Sequence, residues 1–494
     1  MTRLSLDNLD TIAATASVPT YAQRSLSAGI VHFGVGNFHR AHQSVYLDDL
    51  FNAGLDHDWA VIGAGTRTED LKMKSALENQ DFLSTVVEQD ASAARARVTS
   101  VMIGMITPGE TAQVVRQLAD PKIRIVSLTV TEGGYYIDST TQQFDPTHPE
   151  ILADARNPED CRTVFGLIYL GLRARRDAGI AAFTVVSCDN IPGNGRVTRD
   201  AVVGLARLMD SEMAEWIVAN VAFPSGMVDR ITPATSDRER AIVSREFGIE
   251  DAAPVFCEEF RQWVLEDHFP AGRPALEKVG VQFVPDVEPF ELMKIRILNG
   301  GHATIAYPAA LMDIHFVHDA MNDPLIRQFL HRVTCDEIIP VVPPVPDTDL
   351  ADYCRLIEQR FANPRIGDTI SRLCLDGSNR QPKFILPSLR DRLRDNASIE
   401  GLALVSAFWC RYCCGTTDAG NVIAPNDPNW DRLTARARLS KDNPANWLAM
   451  DDIYGSLGQD SRFLGAFAAA LTMVWREGTR ATLQTYLAEP GRRY

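Results

Sequence analysis

The chain of 494 residues lacks any hydrophobic run long enough to cross a bilayer. Its longest strongly apolar stretch, residues 463–475, has an arginine on each side and is shorter than the ~20 residues that a membrane span needs. Residues 1–7 contain no apolar signal core. Dense basic clusters are also missing, and the net charge of -15 argues against nucleic acids and anionic membranes as partners, because both attract basic surfaces. We therefore expect a cytoplasmic protein that binds neither.

Cysteine is sparse, and its distribution is not that of a disulfide framework. The nine cysteines, an odd number, are scattered along the chain, which is typical of reduced thiols. Cys410, Cys413 and Cys414 resemble the beginning of a zinc site, but no second pair of cysteine or histidine residues follows at ligand spacing. The residues around them are typical of a buried helix. We therefore expect no bound metal.

Internal repeats and low-complexity tracts are absent as well. Hydrophobic residues make up 45% of the chain and charged residues 23%, which is typical of a globular protein with a large core. At ~150 residues per domain, the length predicts about two to four domains.

The first informative stretch is a glycine turn between a predicted strand and a predicted helix. Residues 29–33 are apolar, Gly34 and Gly36 form a Gly-x-Gly turn, and residues 41–51 have a helical pattern. In dinucleotide-binding proteins such glycines let the backbone approach a pyrophosphate, while the helix N-terminus supplies free N–H groups. The fingerprint is incomplete, because His39 stands where its third glycine usually lies.

A second predicted strand, residues 59–65, runs into Arg67, Glu69 and Asp70. An acid after this strand commonly binds the adenosine ribose hydroxyls and disfavours a 2′-phosphate, which favours NAD. Arg67 favours the alternative, because it could accept the phosphate of NADP. The two acids could also simply begin a helix, where they suit the positive end of the helix dipole.

The remaining pattern predicts the fold. Residues 123–131 and 183–189 are β-branched runs that end in polar, glycine-rich turns, and predicted helices at 161–176 and 199–220 alternate with the strands. This alternation indicates a largely parallel sheet. Beyond residue 285 helical patterns dominate, at 303–312, 324–339, 349–362, 399–412 and 462–476. We predict an α/β fold, with an N-terminal Rossmann-type dinucleotide-binding domain over residues 1–285 and a C-terminal mainly α-helical domain over residues 286–494.

The stretch from Glu291 to His302 predicts a helix with a polar stripe. At about 100° per residue, Glu291, Lys294, Leu298 and His302 share one side of the helix, and Asn299 lies one step away. A lysine that takes a proton, an asparagine that donates to an oxygen and a histidine that orients or relays suit proton transfer to or from an alcohol.

The same stretch has a structural alternative. Lys294 and Arg296 could be solvated, and His302 could be a core residue with satisfied hydrogen bonds. Gly300 and Gly301 each weaken a helix by about 1 kcal/mol relative to alanine. They therefore indicate close approach of a ligand or of another backbone segment.

Several blocks of the sequence occur together in a characteristic order. They are residues 34–40, 131–135, 187–190, 221–233 (which end in Val-Asp-Arg-Ile-Thr-Pro), the Lys294-x4-Asn299-x2-His302 pattern, and residues 376–383. Together they resemble the long-chain mannitol dehydrogenase family of polyol-specific dehydrogenases and sugar-acid reductases. The resemblance covers the chain from about residue 28 to beyond residue 390.

The resemblance implies metal-independent, NAD-dependent interconversion of D-mannitol and D-fructose, with Lys294 as the general base. A free lysine has a pKa of about 10.4, and burial would lower that pKa towards the range in which a base works best. Asn190 and Asn299 would donate hydrogen bonds to the developing alkoxide. His302 would hold the substrate oxygen or position the lysine.

The resemblance also assigns residues around this centre. Glu291 and Glu132 would relay the proton to solvent, with ordinary salt bridges as their alternative. Asp229 and Arg372 would bind the polyol hydroxyls, although the segment around Asp229 could instead be a surface turn with an Asp–Arg pair. Arg380 would also lie near the substrate; the family pattern has lysine there, so the charge carries over but the geometry does not.

A nicotinamide cofactor is predicted, NAD with NADP as the alternative. The residues expected to bind it are Gly34, Gly36, Asn37, Phe38, Arg40, Glu69 and Asp70. We expect a monomer whose partner is a small polyol or ketose.

Other functions remain as alternatives. The substrate could be another polyol, D-arabinitol or sorbitol, or the enzyme could be a fructuronate reductase that uses Arg380 to bind a carboxylate. Short-chain dehydrogenases are disfavoured because none of the eleven tyrosines is followed by lysine in a Tyr-x-x-x-Lys pattern. Zinc alcohol dehydrogenases are disfavoured because their ligand set cannot be assembled. A non-catalytic NAD-binding regulator is disfavoured because Lys294, Asn299, His302 and Asn190 are all present.

Overall fold

The computed structural model describes residues 1–138 and 141–488. The chain forms two compact units, Met1–Glu288 and Pro289–Tyr494. The first unit contains the strands of the described residues, and the second is helical.

A five-stranded parallel sheet is the centre of the first unit. The strands are β1 (Thr2–Arg3), β2 (Ala28–Phe33), β3 (Ala60–Ala64), β4 (Ser84–Gln89), β5 (Ala94–Thr99), β6 (Met102–Ile106), β7 (Ile125–Leu128), β8 (Thr184–Ser187), β9 (Gly226–Asp229), β10 (Ile249–Glu250), β11 (Val255–Glu258), β12 (Gln262–Glu266) and β13 (Gln282–Val284). The large sheet has the order β6-β3-β2-β7-β8. The four predicted strands are confirmed as β2, β3, β7 and β8.

Three smaller sheets were not predicted. Their orders are β11-β4-β5, β13-β12-β9 and β1-β10. The strands in them pair with partners far away in the chain, as β11 does with β4 and β12 with β9. A local pattern does not specify such pairings.

Helices surround the large sheet. Those of the first unit are α1 (Leu9–Ile12), α2 (Asn37–Ala41), α3 (Gln43–Asn52), α4 (Asp70–Glu78), α5 (Thr111–Ala119), α6 (Pro149–Arg156), α7 (Val164–Asp177), α8 (Asn194–Met209), α9 (Ser211–Asn220) and α10 (Asp237–Phe247). The single helix predicted over 199–220 is wrong. Asp210 separates α8 from α9, because its carboxylate accepts hydrogen bonds from the N–H groups of Glu212 at 2.9 Å and Met213 at 3.1 Å and so caps the second helix.

Each face of the large sheet is buried in its own core. Val31 and Phe33 of β2 belong to a core that includes Leu118 of α5 and Ile168 of α7. Ile30 lies on the opposite face, in a core formed with α3 and β12. Successive strand residues point to opposite faces, so a run that is apolar on both faces produces a sheet covered by helices, as expected for parallel strands.

The second unit is built from helices packed around α19 (Glu400–Tyr412), whose residues 401–412 are all buried. Its helices are α11 (Glu288–Met293), α12 (Gly300–Leu311), α13 (Val317–Asn322), α14 (Pro324–Val333), α15 (Leu350–Phe361), α16 (Ile370–Leu373), α17 (Gly377–Phe384), α18 (Leu386–Arg394), α19 (Glu400–Tyr412), α20 (Trp430–Ser440), α21 (Ala445–Leu448), α22 (Asp451–Tyr454) and α23 (Ser461–Ala488). α19 packs against α12 and α23. Within the described ranges, no helix is both long and apolar enough to span a membrane. The predicted fold class, a Rossmann-type domain followed by a mainly helical one, is confirmed.

Candidate active site

A cavity opens at the carboxyl ends of β2, β3 and β7. Its volume is about 590 Å³, within the ~300–1,000 Å³ that is usual for small-molecule and cofactor sites. Cofactors of doubly wound α/β folds bind at this edge of the sheet. The residues that line the cavity include Gly34, Gly36, Arg67, Glu69, Thr131 and Tyr136.

The two glycines of the first turn have different surroundings. Gly34 has a φ of +92°, and a Cβ atom there would lie 2.0 Å from the carbonyl oxygen of Thr129, so the fold itself requires glycine. Gly36 has a φ of -95°, and the nearest atom to a Cβ atom there would be the Gly34 carbonyl oxygen at 3.9 Å. Since the fold tolerates a side chain at Gly36 while the residue lines the cavity, the turn fits a phosphate that approaches the backbone closely.

His39 takes over the packing role of the missing third glycine. That glycine normally allows the helix to approach the strand closely. Here the His39 ring is buried and stacks on His32 of β2, with the ring centroids 3.6 Å apart. Burial lowers the pKa of His32 to about 3 and the pKa of His39 well below its usual value, so both stacked rings are neutral at neutral pH.

The polar side chains of α2 contact the protein itself. Asn37 Nδ2 donates to the Pro233 carbonyl oxygen at 3.3 Å and to Thr235 Oγ1 at 3.1 Å. Arg40 is buried, and its Nη2 and Nε donate to Asn37 Oδ1 at 2.8 Å and to the Gly36 carbonyl oxygen at 3.3 Å. Burial lowers the pKa of Arg40 to about 10. These contacts join the glycine turn to the segment that follows β9.

Phe38 stacks on His42, with the ring centroids 4.9 Å apart. Among the described residues, the cavity lining does not include Phe38, Asn37 or Arg40. A role of these three residues in cofactor binding stays a prediction.

The two acids after β3 differ in what they contact. Asp70 Oδ2 accepts hydrogen bonds from the N–H groups of Thr66 at 2.9 Å and Arg67 at 3.0 Å, so it holds the turn. Glu69 is exposed, and Arg67, Glu69 and Asp70 all line the cavity. Asp70 is the first residue of α4 and Glu69 precedes it, so the alternative in which the acids begin a helix describes their position. Binding of a ribose hydroxyl by either acid stays a prediction.

Asp189 ties together the turns that follow β7 and β8. Its buried carboxylate accepts hydrogen bonds from the N–H groups of Val130 at 3.0 Å and Thr131 at 2.9 Å, and from the Tyr135 hydroxyl at 2.7 Å. Burial raises the pKa of Asp189. The sequence interpretation missed this role, although a carboxylate directly after a buried strand was a usable signal.

Two predicted site residues are neighbours of this network. Asn190 follows Asp189, Glu132 follows Thr131, and both Asn190 and Glu132 are exposed. The hydrogen bonds of Asp189 therefore bring the two turns together at the same edge of the sheet. The catalytic roles of Asn190 and Glu132 stay predictions.

Asp229 is the last residue of β9 and is buried. The alternative of a surface turn is wrong, because β9 pairs with β12. The neighbouring Arg230 is buried too, with Nη2 at 2.6 Å from Glu88 Oε1 and Nε donating to the Glu258 carbonyl oxygen at 2.9 Å. A carboxylate held at this depth is in an environment that suits specific hydrogen bonding rather than solvation.

The helix predicted from the polar stripe is present, but its middle is not α-helical. Lys294–Asn299 is a π-helix between α11 and α12, and the Gly300 N–H donates to the Ile295 carbonyl oxygen five residues back. In a π turn, residues about five apart lie on the same side. Lys294 and Asn299 are therefore closer together around the helix axis than on an α-helix, where they would be about 140° apart. The predicted position of Asn299, one step off the stripe, is corrected by this turn.

The structural alternative for this stretch is wrong. Lys294 is 7% exposed and Glu291 is 9% exposed, so neither is solvated. Arg296 is also engaged: its Nη1 lies 2.7 Å from Asp391 Oδ2 and donates to the Val341 carbonyl oxygen at 2.6 Å.

His302 is not a satisfied core histidine. Its ring stacks on Phe361 with the centroids 4.0 Å apart, and within the described residues its buried Nε2 and Asn299 Oδ1 have no hydrogen-bond partner. Burial, together with the positive charges of Arg372 and Arg360, lowers the pKa of His302 well below its usual value. The ring is therefore neutral, so it can either donate to or accept from an oxygen. The sequence interpretation missed Phe361, whose aromatic ring on a separate helix had no local signal.

The predicted close approach of another backbone segment is confirmed at Gly300, whereas Gly301 packs against side chains. A Cβ atom at Gly300 would lie 3.2 Å from the Phe384 carbonyl oxygen, and one at Gly301 would lie 3.3 Å from Leu330 Cδ1 and 3.4 Å from the Phe361 ring. Gly300 therefore meets another backbone segment, and Gly301 meets the side chains of α14 and α15.

Arg372 and Arg380 lie on adjacent short helices. Arg372 Nε donates to Asp368 Oδ1 at 2.5 Å and Nη2 to Asp368 Oδ2; burial opposes the charge, but this pairing raises the pKa of Arg372. Arg380 Nη1 donates to the carbonyl oxygens of Arg372 at 3.3 Å and Leu373 at 3.1 Å, so it closes the end of α16. Both positive charges act on His302. Their contacts with substrate stay predictions.

Two family models match the chain. The mannitol dehydrogenase Rossmann domain matches residues 28–278, and the mannitol dehydrogenase C-terminal domain matches residues 286–475. The mannitol 2-dehydrogenase of Cereibacter sphaeroides is 61% identical over 95% of this chain and 98% of its own. The mannitol 2-dehydrogenase of Aspergillus fumigatus is 40% identical over 98% of this chain and 99% of its own.

Two solved structures also match. The ternary complex of Pseudomonas fluorescens mannitol 2-dehydrogenase with NAD and D-mannitol has a TM-score of 0.88 at 41% identity, covering 99% of this chain and 100% of that one. A D-sorbitol dehydrogenase in substrate-free form has a TM-score of 0.90 at 34% identity, covering 97% of this chain and 100% of that one.

Proposed function

Because the chain belongs to the mannitol dehydrogenase family, we propose that it is an NAD-dependent polyol dehydrogenase that interconverts D-mannitol and D-fructose. The observation that carries this proposal is the likeness, over the whole chain, to an enzyme whose solved structure is a ternary complex with NAD and D-mannitol. The higher identity to the Cereibacter mannitol 2-dehydrogenase supports the same substrate.

The first unit would hold the cofactor. Bound NAD supplies the acceptor for the hydride that leaves the alcohol carbon. Gly34 shapes the turn, Gly36 leaves room for a phosphate, and Glu69 would accept hydrogen bonds from the ribose hydroxyls, which favours NAD over NADP.

Lys294 would take the proton from the alcohol oxygen. Its low exposure keeps bulk water away from that proton, and the π turn brings it closer around the helix axis to Asn299, whose amide would donate to the developing alkoxide. The neutral His302 ring, through Nε2, would bond the same oxygen and orient it. Glu291, three residues before the lysine and also buried, and Glu132 would pass the proton on to solvent. Lysine thereby replaces the metal that other alcohol dehydrogenases use to acidify the hydroxyl, so we propose a metal-independent reaction.

The polyol chain would be bound by residues of opposite charge. Asp229 would accept from its hydroxyls, Arg372 would donate to them, Asn190 would assist at the reacting oxygen, and Arg380 would support the arginine. D-sorbitol is the second candidate substrate, favoured by the likeness to a D-sorbitol dehydrogenase. We also propose that the enzyme acts as a cytoplasmic monomer; the acidic net charge of -15 is consistent with a free, soluble state, and light scattering after gel filtration tests it.

Steady-state kinetics test the substrate. NAD reduction is followed with D-mannitol, D-sorbitol and D-arabinitol, NADH oxidation with D-fructose and D-fructuronate, each with and without EDTA. The highest kcat/KM with D-mannitol, unchanged by EDTA, supports the proposal. The highest value with D-sorbitol favours the second candidate, and turnover with D-fructuronate alone contradicts both.

Substitution of the lysine tests the mechanism. We expect Lys294→Ala to lower kcat by roughly 10²–10⁴-fold, the usual contribution of a general base. Lys441→Ala, at an exposed lysine of the same unit, should leave kcat unchanged. A Lys294→Ala enzyme with normal kcat would exclude Lys294 as the base.

A further inference from the structure

Two helical segments of the second unit present thiol and imidazole groups to each other. His331 lies in the last turn of α14, and Cys335 lies in the π-helical segment Thr334–Ile338 that continues it. Cys354 and Glu358 lie on α15. Each pair is four residues apart, a spacing that places two side chains on the same side of a helix.

The ligand atoms of this cluster are as close together as a metal site requires. The two sulfur atoms and one ring nitrogen of His331 all lie within 4.8 Å of one another. His331 Nε2 is 3.8 Å from Cys335 Sγ. Tetrahedral coordination with bonds of ~2.3 Å to sulfur and ~2.0–2.1 Å to nitrogen separates neighbouring ligand atoms by about 3.5–3.8 Å. Only small rotations of the side chains would bring all three onto one ion.

Glu358 contacts one of the two nitrogens of the imidazole and leaves the other for a metal ion. Its Oε1 is 2.8 Å from His331 Nδ1, so Nδ1–H donates to the carboxylate and Nε2 keeps its lone pair. Cys335 Sγ lies 3.9 Å from Nδ1 and 3.8 Å from Nε2, so a rotation of the ring would be needed to point the Nε2 lone pair towards an ion bound to Cys335. A carboxylate that fixes the second ring nitrogen is the usual support of a metal-binding histidine. Glu358 Oε1 also lies 3.7 Å from Cys354 Sγ, so it faces the whole cluster.

We propose that His331, Cys335 and Cys354 form a binding site for one thiophilic divalent cation, Zn²⁺ being the type that suits two thiolates and an imidazole, with Glu358 as a positioning residue. Across residues 1–138 and 141–488, no other group of three or more such side chains comes this close together. The site is distinct from the proposed catalytic set, because none of its residues belongs to that set.

The cation would fasten α15 to α14. These two helices flank the start of α12: Leu330 of α14 and Phe361 of α15 both contact the position of Gly301, and Phe361 stacks on His302. The role is therefore structural, and occupancy stabilises the fold by mass action because the unfolded chain does not hold the three ligands together.

Metal titration of the full-length, reduced and chelator-treated enzyme tests the proposal. We expect a single equivalent of Zn²⁺ to bind by calorimetry, Cd²⁺ to produce a thiolate charge-transfer band in the ultraviolet, and Zn²⁺ to raise the unfolding temperature without changing kcat. His331→Ala, Cys335→Ser and Cys354→Ser should each weaken Zn²⁺ binding at least tenfold. Glu358→Gln should weaken it by roughly 10–100-fold while the Cd²⁺ band is retained.

Matched controls separate this site from other thiols. Cys414 is the most exposed cysteine after Cys335, so Cys414→Ser should bind Zn²⁺ with wild-type affinity. His331 is an exposed residue, so its alanine variant should keep the fold even if a buried cysteine variant does not.

Three outcomes would overturn the proposal. The first is a reduced wild-type enzyme that binds no Zn²⁺. If mild oxidation of that enzyme then removes two thiols, Cys335 and Cys354 form a disulfide switch rather than a metal site. The second is Zn²⁺ binding that survives in the Cys335→Ser/Cys354→Ser double variant. The third is a loss of kcat on chelation at a temperature where the enzyme stays folded, which would make the cation catalytic and would also contradict the metal-independent reaction. An inactive enzyme that still binds Zn²⁺ at this site would count against the proposed function alone.

Discussion

Gly34 and Gly36 are two residues apart, yet the structure requires glycine at only one of them. The backbone of Gly34 is left-handed and its missing side chain makes room for Thr129. The extended backbone of Gly36 accepts any residue, so the fold itself does not explain glycine there, and we propose that cofactor binding does. This difference separates folding from cofactor binding at the scale of single residues.

We expect Gly36→Val to bind NAD weakly without loss of stability. The valine side chain would fill the space left for a phosphate, while the nearest protein atom to its Cβ lies 3.9 Å away. The free energy of unfolding of the apo enzyme should be unchanged. The increase in that free energy caused by NAD, about 2.7 kcal/mol at a concentration of about 100 Kd, should disappear. Gly34→Ala serves as the contrast, because it should destabilise the apo enzyme itself. A Gly36→Val enzyme that NAD stabilises normally would remove the cofactor explanation.

Substitutions of Glu69 and Asp70 should also differ, one affecting cofactor binding and the other stability. Asp70→Ala removes two hydrogen bonds to a charged acceptor and should lower the free energy of unfolding by about 1.5–3 kcal/mol. Glu69→Gln should leave stability unchanged and raise the KM for NAD about tenfold, since one charge-assisted hydrogen bond to the ribose weakens. Thermal unfolding and initial rates at varied NAD measure both; the reverse assignment of the two effects would refute the division of roles.

At the scale of the element, the π-helix Lys294–Asn299 sets the geometry of the stretch that we propose to be catalytic. A regular α-helix would point Lys294 and Asn299 in different directions, and the wider turn reduces the angle between them. Such turns are frequent at functional sites. Gly300, where the π-helix ends, packs against the Phe384 backbone, which holds the transition to α12 in place.

The effects of alanine substitutions at three glycines on the free energy of unfolding should depend on the atoms around each glycine. Gly300→Ala should cost about 1–3 kcal/mol, since the Phe384 carbonyl oxygen at 3.2 Å cannot move aside easily. Gly301→Ala should change stability by less than about 1 kcal/mol, because side chains at 3.3–3.4 Å can shift and alanine favours the helix. Gly465→Ala, in an open position of α23, should stabilise by up to about 1 kcal/mol. Denaturant unfolding gives the ranking, and equal effects at Gly300 and Gly465 would contradict it.

At the scale of the whole molecule, neutral buried histidines tie stability to pH. The pKa values of His32 and His42 are lowered to about 3 by burial, and those of His39 and His302 lie well below the usual value. Below their ordinary pKa of 6.5 the unfolded chain takes up protons that the folded chain does not. Their stabilising contribution is therefore complete above about pH 6.5 and is lost as the pH falls towards about 3.

We expect His42→Gln to flatten this dependence. Removing one histidine that is neutral only when folded should reduce the slope of unfolding free energy against pH by about 1.4 kcal/mol per pH unit within that window. Carboxylates contribute equally to both proteins and cancel in the comparison. His268→Gln, at an exposed histidine, should keep the wild-type slope. Equal slopes for His42→Gln and wild type would show that His42 is protonated when folded.

Much of the architecture was predictable because it depends on local patterns. The alternation of apolar strands with helices predicted the parallel sheet, and the long amphipathic stretches predicted the helical unit. The spacing Lys294-x4-Asn299-x2-His302 came from a local pattern, whereas Asp229, Arg372 and Arg380 were implied by the family resemblance. The break at Asp210 was missed because the helical pattern continues across it, and only the capping bonds of its carboxylate show where one helix ends.

By itself, the sequence of this protein determined the strands of the large parallel sheet, the helical character of the second unit, the glycine turn with its acids and the presence of a lysine, an asparagine and a histidine on one helical stretch. The tertiary structure decided which acid holds the turn, that His39 packs where a glycine was expected, that a π turn brings Lys294 and Asn299 closer together around the helix axis, and that His331 and Cys335 meet Cys354. The reason is physical. The periods of two residues for a strand and 3.6 for a helix can be recognised in a short stretch of sequence. Contacts between distant segments depend on how separate elements pack, and that packing depends on the whole chain.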